Sequence, residues 1–126
     1  MIISIGVDII EVRRVRETIE RTPRFAERVF TEAERTYCES RGVVAAQHYA
    51  ARFAAKEAAL KALQTGWSDG IAWQDIEISA KESGAPVITF HGRARELFEQ
   101  SGANAVHVSI AHTTEHAIAE VVLEKI

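Results

Sequence analysis

The chain has 126 residues, 47% of them hydrophobic and 26% charged, with a formal net charge of −3. This fits one domain, residues 1–126, able to bury roughly two thirds of its unfolded surface; the composition excludes a disordered chain, and the acidic balance excludes a generally basic nucleic-acid binder. The lone Cys38 excludes an internal disulfide or a thiolate cluster, and with neither a basic leader nor a long apolar run, a cytoplasmic protein without a membrane partner is expected.

The opening stretch, MIISIGVDIIEV, alternates as a strand, with Ile3, Ile5, Val7 and Ile9 on one face and Ser4, Gly6, Asp8 and Ile10 on the other. A helix is expected over Val12–Arg21. Thr22-Pro23 then reads as an N-cap followed by proline in the first helical position, opening a short second helix that closes at Phe30. Thr31-Glu32-Ala33-Glu34 is a capping box for a third helix ending near Ser40 and Gly42. A long fourth helix is predicted over 45–65, with Gly66 and Gly70 in the turn behind it. Then the pattern changes: residues 75–80 and 86–90 read as strands around a Ser83-Gly84 turn, 92–100 as a helix, and NAVHVSIAH and HAIAEVVLE as two final strands. The expected fold is α+β, a mainly antiparallel sheet packed against the long central helix.

The central helix contains RFAAKEAALKAL, residues 52–63, whose charges interrupt an otherwise apolar run. At about 100° per residue, Tyr49, Phe53, Leu60 and Leu63 form one stripe and the alanines a broad opposite face that would admit another backbone closely. Such a helix is expected to be buried, so its charges need partners. Glu57 and Lys61 stand four apart in the favourable order for an ion pair, whereas Arg52 and Lys56 are like charges at the same spacing. Two readings stand side by side: one local salt bridge with two snorkelling cations, or cations that await a polyanion beside a Glu57 that awaits a metal.

Asp8 and Glu57, each on a rigid element, make a poor calcium cage but suit magnesium, which keeps waters and takes its other oxygens from a substrate phosphate. No GxxxxGK[ST] or GxGxxG occurs, so a glycine-loop nucleotide site is not expected. His112 and His116 imitate a zinc spacing, but they fall on strand and turn without the intervening glutamate, which argues against zinc. His107 and Ser109 share the polar face of their strand, open either to water or to a phosphate or adenosine. In EVRRVRETIERTPRFAERVF, Arg13–Glu17, Arg16–Glu20 and Glu17–Arg21 are possible i,i+4 pairs, and a solvated ion-paired surface is the plain reading. Arg14 has only Thr18 four residues on, with Arg21 one heptad later, an arginine row suited to an acidic protein surface.

These segments together resemble one family over essentially the whole chain: the bacterial holo-[acyl-carrier-protein] synthases, small 4′-phosphopantetheinyl transferases. GVDIIEVRRV is similar to the family's GxDxxExxR opening, RFAAKEAALKAL to its F(S/A)AKEAxxKA helix, and WQDIEI, GAPVITFHGRA and HVSIAHT to its later segments. The glycine often found after KAL is Gln64 here, and Ala111 replaces a serine or threonine before His112. The resemblance implies magnesium-dependent transfer of phosphopantetheine from coenzyme A to a serine of apo acyl carrier protein, releasing adenosine 3′,5′-bisphosphate. It implies Asp8 and Glu57 as metal ligands and Lys61 as a stabiliser of the departing phosphate, with the base left open among Glu57, Asp8 and a bound water. It places Arg52, Lys56, Lys61, His107 and Ser109 on the coenzyme A side, and Arg14, Arg21 and Arg24 toward the carrier's acidic helix. It also implies a homotrimer with sites at subunit interfaces, which would account for a central helix buried on both faces. The competing reading is a non-catalytic oligomeric module that binds coenzyme A or a nucleotide, distinguishable by its indifference to chelator.

Overall fold

The computed structural model describes residues 1–66 and 69–126. Among the described residues, five strands and five α-helices follow the expected order: β1 (Ile2–Glu11), α1 (Val12–Arg21), α2 (Arg24–Val29), α3 (Glu32–Glu39), α4 (Ala45–Ala62), β2 (Ile76–Ala80), β3 (Pro86–Phe90), α5 (Gly92–Gln100), β4 (Ala105–His112) and β5 (His116–Glu124). The strands form two antiparallel sheets, a three-stranded one in the order β1-β5-β4 and the β2-β3 hairpin. The expected single sheet is thus divided.

Local signals act where they were read, with instructive shifts. Thr31 caps α3 with both halves of the capping box formed, its hydroxyl accepting from the Glu34 N–H and the Glu34 carboxylate accepting from the Thr31 N–H. At α2, Thr22 contributes its carbonyl rather than its hydroxyl, accepting from the Phe25 N–H at 2.9 Å, and Pro23 already has helical dihedrals. Helix α4 ends at Ala62, earlier than expected, because Gln64 adopts a φ of 58°. The Thr65 N–H then donates to the Leu60 carbonyl and the Gln64 N–H to the Lys61 carbonyl, closing a Schellman motif. A glycine would meet that left-handed position without the penalty a side chain incurs, which gives a physical reason for the residue type often found there in similar sequences.

The alternation along β1 has an outcome that hydrophobicity alone does not suggest. Ser4, Gly6 and Asp8 face α4, while Ile5, Val7 and Ile9 remain 57%, 48% and 63% exposed on the outer side of the sheet. Gly6 is buried because the helix axis passes over it: a Cβ built there would collide with the Ala58 carbonyl oxygen and the Ala62 nitrogen. The alanine face of α4 therefore receives a strand backbone from its own chain. With α1, α3, β2, β4 and β5 closing its remaining sides, α4 is buried without any second subunit, so the argument that its two faces require a trimer does not hold. A Gly6→Ala substitution should destabilise the fold by about 3 kcal/mol, the upper range for overpacking when the obstacle is backbone; urea unfolding monitored by circular dichroism measures it.

Candidate active site

Helix α4 carries its charges on two opposed flanks. Arg52 and Lys61 are separated by nine positions, about 180° around the helix at roughly 100° per residue. Lys61 lies on the β1 flank, its Nζ donating to the Val7 carbonyl at 3.0 Å and to Asp8 Oδ1 at 3.2 Å. Its partner is therefore Asp8, across the strand, as well as whatever its own helix offers. Glu57, one turn before Lys61 and half-buried, rises on this same flank. Strand and helix together bring Asp8 against Lys61, whose side chain is 55% exposed, and the i,i+4 spacing of Glu57 and Lys61 sets that second carboxylate on the same helix flank.

The opposite flank is occupied first by Lys56, which is withdrawn from any ligand. Its side chain is 0% exposed and its ammonium is bound to Glu34 Oε1 at 2.9 Å, to the Trp73 carbonyl at 3.1 Å and to the Ile76 carbonyl. Burial holds the Lys56 pKa below its ordinary value, partly offset by the adjacent Glu34 carboxylate. Glu34, also fully buried, accepts as well from the Ile78 N–H at 2.8 Å, so one ion pair ties α3, α4 and β2 together. The placement of Lys56 on the coenzyme A side is corrected here: it faces the core because α3 and the start of β2 lie over that side of α4. Glu34 carried no functional weight in the sequence, since its capping-box role already accounted for it.

Beyond Lys56, Arg52 reaches a cavity of about 150 Å³ between α4, the β2-β3 hairpin and the end of β4, lined by Tyr37, His48, Gly84, Pro86 and His112 among others. Arg52 is only 6% exposed, and its Nε is buried with no hydrogen-bond partner. Its guanidinium lies over the Tyr37 ring, 4.0 Å from the centroid, a cation–π contact that orients the fork. A buried guanidinium with an unsatisfied donor calls for an anion.

His107 and Ser109 do not join this cavity. They lie on the outer face of the sheet, paired across β5 with Val122 and Glu120, and His107 Nε2 contacts Glu124 at 2.8 Å. His112, five residues past His107, points the other way by strand alternation and is the histidine that lines the cavity, its Nδ1 3.1 Å from Gln47 Oε1. The sequence held a signal for this in the odd spacing of the two histidines. His48, Arg41 and Tyr37 were missed, since nothing local joins α3, the start of α4 and β4. On α1, Arg13–Glu17 forms at 3.4 Å, whereas Arg14 and Arg21 of α1 and Arg24 at the start of α2 are exposed without an ion pair among the described residues. Arg14 borders a shallow cleft with Ile9, Ile10 and His116.

The model of the 4′-phosphopantetheinyl transferase superfamily matches residues 4–120. The chain belongs to that superfamily. Among its phosphopantetheinyl transferase relatives, the holo-[acyl-carrier-protein] synthase of Koribacter versatilis (strain Ellin345) is 43% identical over 125 residues, covering 98% of this chain and 99% of the relative. The crystal structure of a holo-(acyl-carrier-protein) synthase from Bacillus anthracis str. Ames in complex with CoA (3′,5′-ADP) superposes with a TM-score of 0.82 at 36% identity, covering 100% of this chain and 99% of that one. The Helicobacter pylori holo-[acyl-carrier-protein] synthase in complex with coenzyme A gives 0.82 at 32% identity, with 95% and 99% covered. The α+β fold with antiparallel sheets around a long helix is thus that of this transferase superfamily.

The ion pair beneath the site makes a separate prediction. Lys56→Met should destabilise the protein by about 3 kcal/mol, because it leaves Glu34 as an uncompensated buried carboxylate, and Lys56→Met with Glu34→Gln should recover a large part of that loss. Chemical denaturation of the single and double variants measures the coupling.

Proposed function

We propose that this chain transfers the 4′-phosphopantetheine arm of coenzyme A to a serine hydroxyl of an apo acyl carrier protein and releases adenosine 3′,5′-bisphosphate, with magnesium required. The observation that carries the reading is the Asp8–Lys61 contact on the β1 flank of α4, with Glu57 one helical turn before Lys61, in a chain of this superfamily whose relatives are holo-[acyl-carrier-protein] synthases. The donor set fits magnesium. Two carboxylates on rigid elements leave coordination positions for waters and substrate phosphate, as that ion prefers. Asp8 and Glu57 would hold it, and its charge would neutralise the diphosphate of coenzyme A.

The chain's own residues supply positioning and charge. An alcohol must approach an anionic diphosphate and a multiply charged nucleotide must leave, so fixed cations lower the barrier more than covalent chemistry does. Lys61, held at the Val7 carbonyl and Asp8, places an ammonium at the mouth of the site for the departing phosphate oxygen. Arg52, stacked on Tyr37 and lining the cavity, binds a nucleotide phosphate. Lys56 serves the core.

The opposed flanks also favour a site shared between subunits. Asp8 and Lys61 lie at β1 and the Arg52 cavity at β4, with β5 between them, and the nine positions from Arg52 to Lys61 alone span about 13 Å along α4. One nucleotide bridges the two halves when the β1 flank of one subunit meets the β4 flank of the next. The exposed row of Ile5, Val7, Ile9 and Ile118 supplies an apolar surface for that contact, and a closed ring of such heterologous contacts gives the homotrimer. His107 and Ser109, on this outer face, then belong to the interface. A cytoplasmic location agrees with the lone buried Cys38, and no described helix is long and apolar enough to cross a membrane.

Incubating the protein with coenzyme A, magnesium and an apo carrier should add one phosphopantetheine to the carrier by intact mass, and chelator should abolish the gain. Asp8→Ala and Glu57→Ala should each lose at least 100-fold in turnover while remaining folded. If the site is shared, refolding Asp8→Ala together with Arg52→Ala should restore part of the activity that each lacks alone. Light scattering at the mass of a monomer with full activity would refute the shared site but not the reaction.

Arg14, exposed on α1 with the Thr18 hydroxyl donating back to its carbonyl at 2.7 Å, faces the carrier together with Arg21 and Arg24 on this reading. Arg14→Glu should raise the KM for the carrier about tenfold or more and leave that for coenzyme A unchanged, with a flatter dependence on salt, since reversal adds repulsion to lost attraction. Steady-state kinetics with each substrate varied in turn separates the two.

A further inference from the structure

The cavity beside Arg52 holds more positive charge than one phosphate-binding arginine explains. His48, half-buried on the first turns of α4, stands edge-on to His112 with ring centroids 5.0 Å apart and edge-on to Tyr37 at 5.6 Å. Arg41 and Arg52 both lie over the Tyr37 ring, at 5.4 and 4.0 Å from its centroid. The described lining contains no carboxylate. The groups facing His48 are therefore His112 from β4, Arg41 from the turn before α4, Arg52 from α4 itself and the Tyr37 hydroxyl-bearing ring from α3. Empty, this arrangement discourages a further charge: burial first, then His112, Arg41 and Arg52, hold the His48 pKa below its ordinary value. An anion entering among them reverses the cationic part of that balance.

We infer that His48 is a proton-coupled specificity residue: it takes up a proton as a phosphate monoester enters the cavity beside Arg52 and His112, and then donates a hydrogen bond to that phosphate. The inference rests on the proposed coenzyme A activity and deepens it, since coenzyme A carries a 3′-phosphate monoester as well as its diphosphate. The sign follows from the charges. His48 is neutral in the free protein at neutral pH and cationic in the complex, so binding consumes a proton and tightens as pH falls. A dianion gains most from the added cation, which favours the nucleotide that bears the monoester over one that lacks it.

Isothermal titration of coenzyme A into the folded protein tests this, in two buffers of different ionisation enthalpy. Between about pH 8.5 and 6.5, where the phosphate itself remains largely dianionic, affinity should rise by about threefold or more, with net proton uptake. In His48→Phe the rise and the uptake should both disappear; His48→Gln, which keeps a donor but cannot titrate, should also be flat and serves if the phenylalanine variant does not fold. The uptake should likewise be absent with 3′-dephospho-coenzyme A. An unchanged pH slope in both His48 variants overturns the inference, as does full proton uptake with the dephospho compound. Arg52→Ala separates this from the parent reading: unaltered coenzyme A affinity there means that the cavity is not the nucleotide site, whereas weakened affinity with an unchanged slope in the His48 variants means that only the role of His48 is wrong.

Discussion

The backbone of β1 rests directly on α4 at Gly6, and the geometry of the site follows from that contact. Any side chain at this position would strike the Ala58 carbonyl and the Ala62 nitrogen, so strand and helix approach at a distance that only glycine against alanine allows. Two residues on, Asp8 is brought within 3.2 Å of Lys61. A wider interaxial distance would leave the same residues in sequence but out of reach of each other, and the Asp8–Lys61 contact would be lost. Close packing of small residues is thus the condition for polar chemistry one turn away.

A second fixed point sets the rotation of α4. The helix is lined with alanine on several sides, and alanine faces discriminate poorly among rotational settings because they offer little relief for side chains to interlock. The Lys56–Glu34 pair supplies the missing specificity. Lys56 binds Glu34 and two carbonyls at the entrance to β2, and Glu34 is itself anchored by the Thr31 and Ile78 N–H groups. Turning the helix would strand a buried ammonium and a buried carboxylate together, which costs far more than a shift of methyl groups. With the helix so held, Glu57 and Lys61 face β1 while Arg52 faces the hairpin cavity.

That opposition of flanks gives the outer face of the sheet its significance. The β1-β5-β4 sheet covers the helix on one side and leaves Ile5, Val7, Ile9 and Ile118 in solvent on the other, an unfavourable surface for an isolated chain. The same sheet separates the two charged ends of the site. In the proposed shared site, one arrangement of subunits would cover the apolar row and join the acidic flank to the basic cavity, which rests the case for a partner on the sheet rather than on the central helix.

Much of the fold was legible in the chain. Helix α1, the capping box of α3, both strands of the β2-β3 hairpin and the termini of α5 follow from local signals that act over three to five residues: a capping side chain, a turn glycine, a period of two or of 3.6. The resemblance of their motifs to those of known transferases assigned Asp8, Glu57 and Lys61 to one expected site without indicating the direct Asp8–Lys61 contact, and the alanine face of α4 announced a close-packed backbone without naming β1. What local pattern could not supply was direction. Arg52, Lys56 and Lys61 share one short stretch of helix and one charge, yet one meets a cavity, one is sealed in the core and one faces Asp8. His107 and His112 likewise diverge to opposite faces of a sheet. The sequence by itself determined which residues are charged, which segments are helix or strand, and the family to which they are similar, because those depend on side-chain chemistry and short-range geometry. Only the tertiary structure decided which cation is free for a ligand, because that depends on what packs over each flank of α4, and the elements concerned, α3, β1 and β4, come from distant parts of the chain.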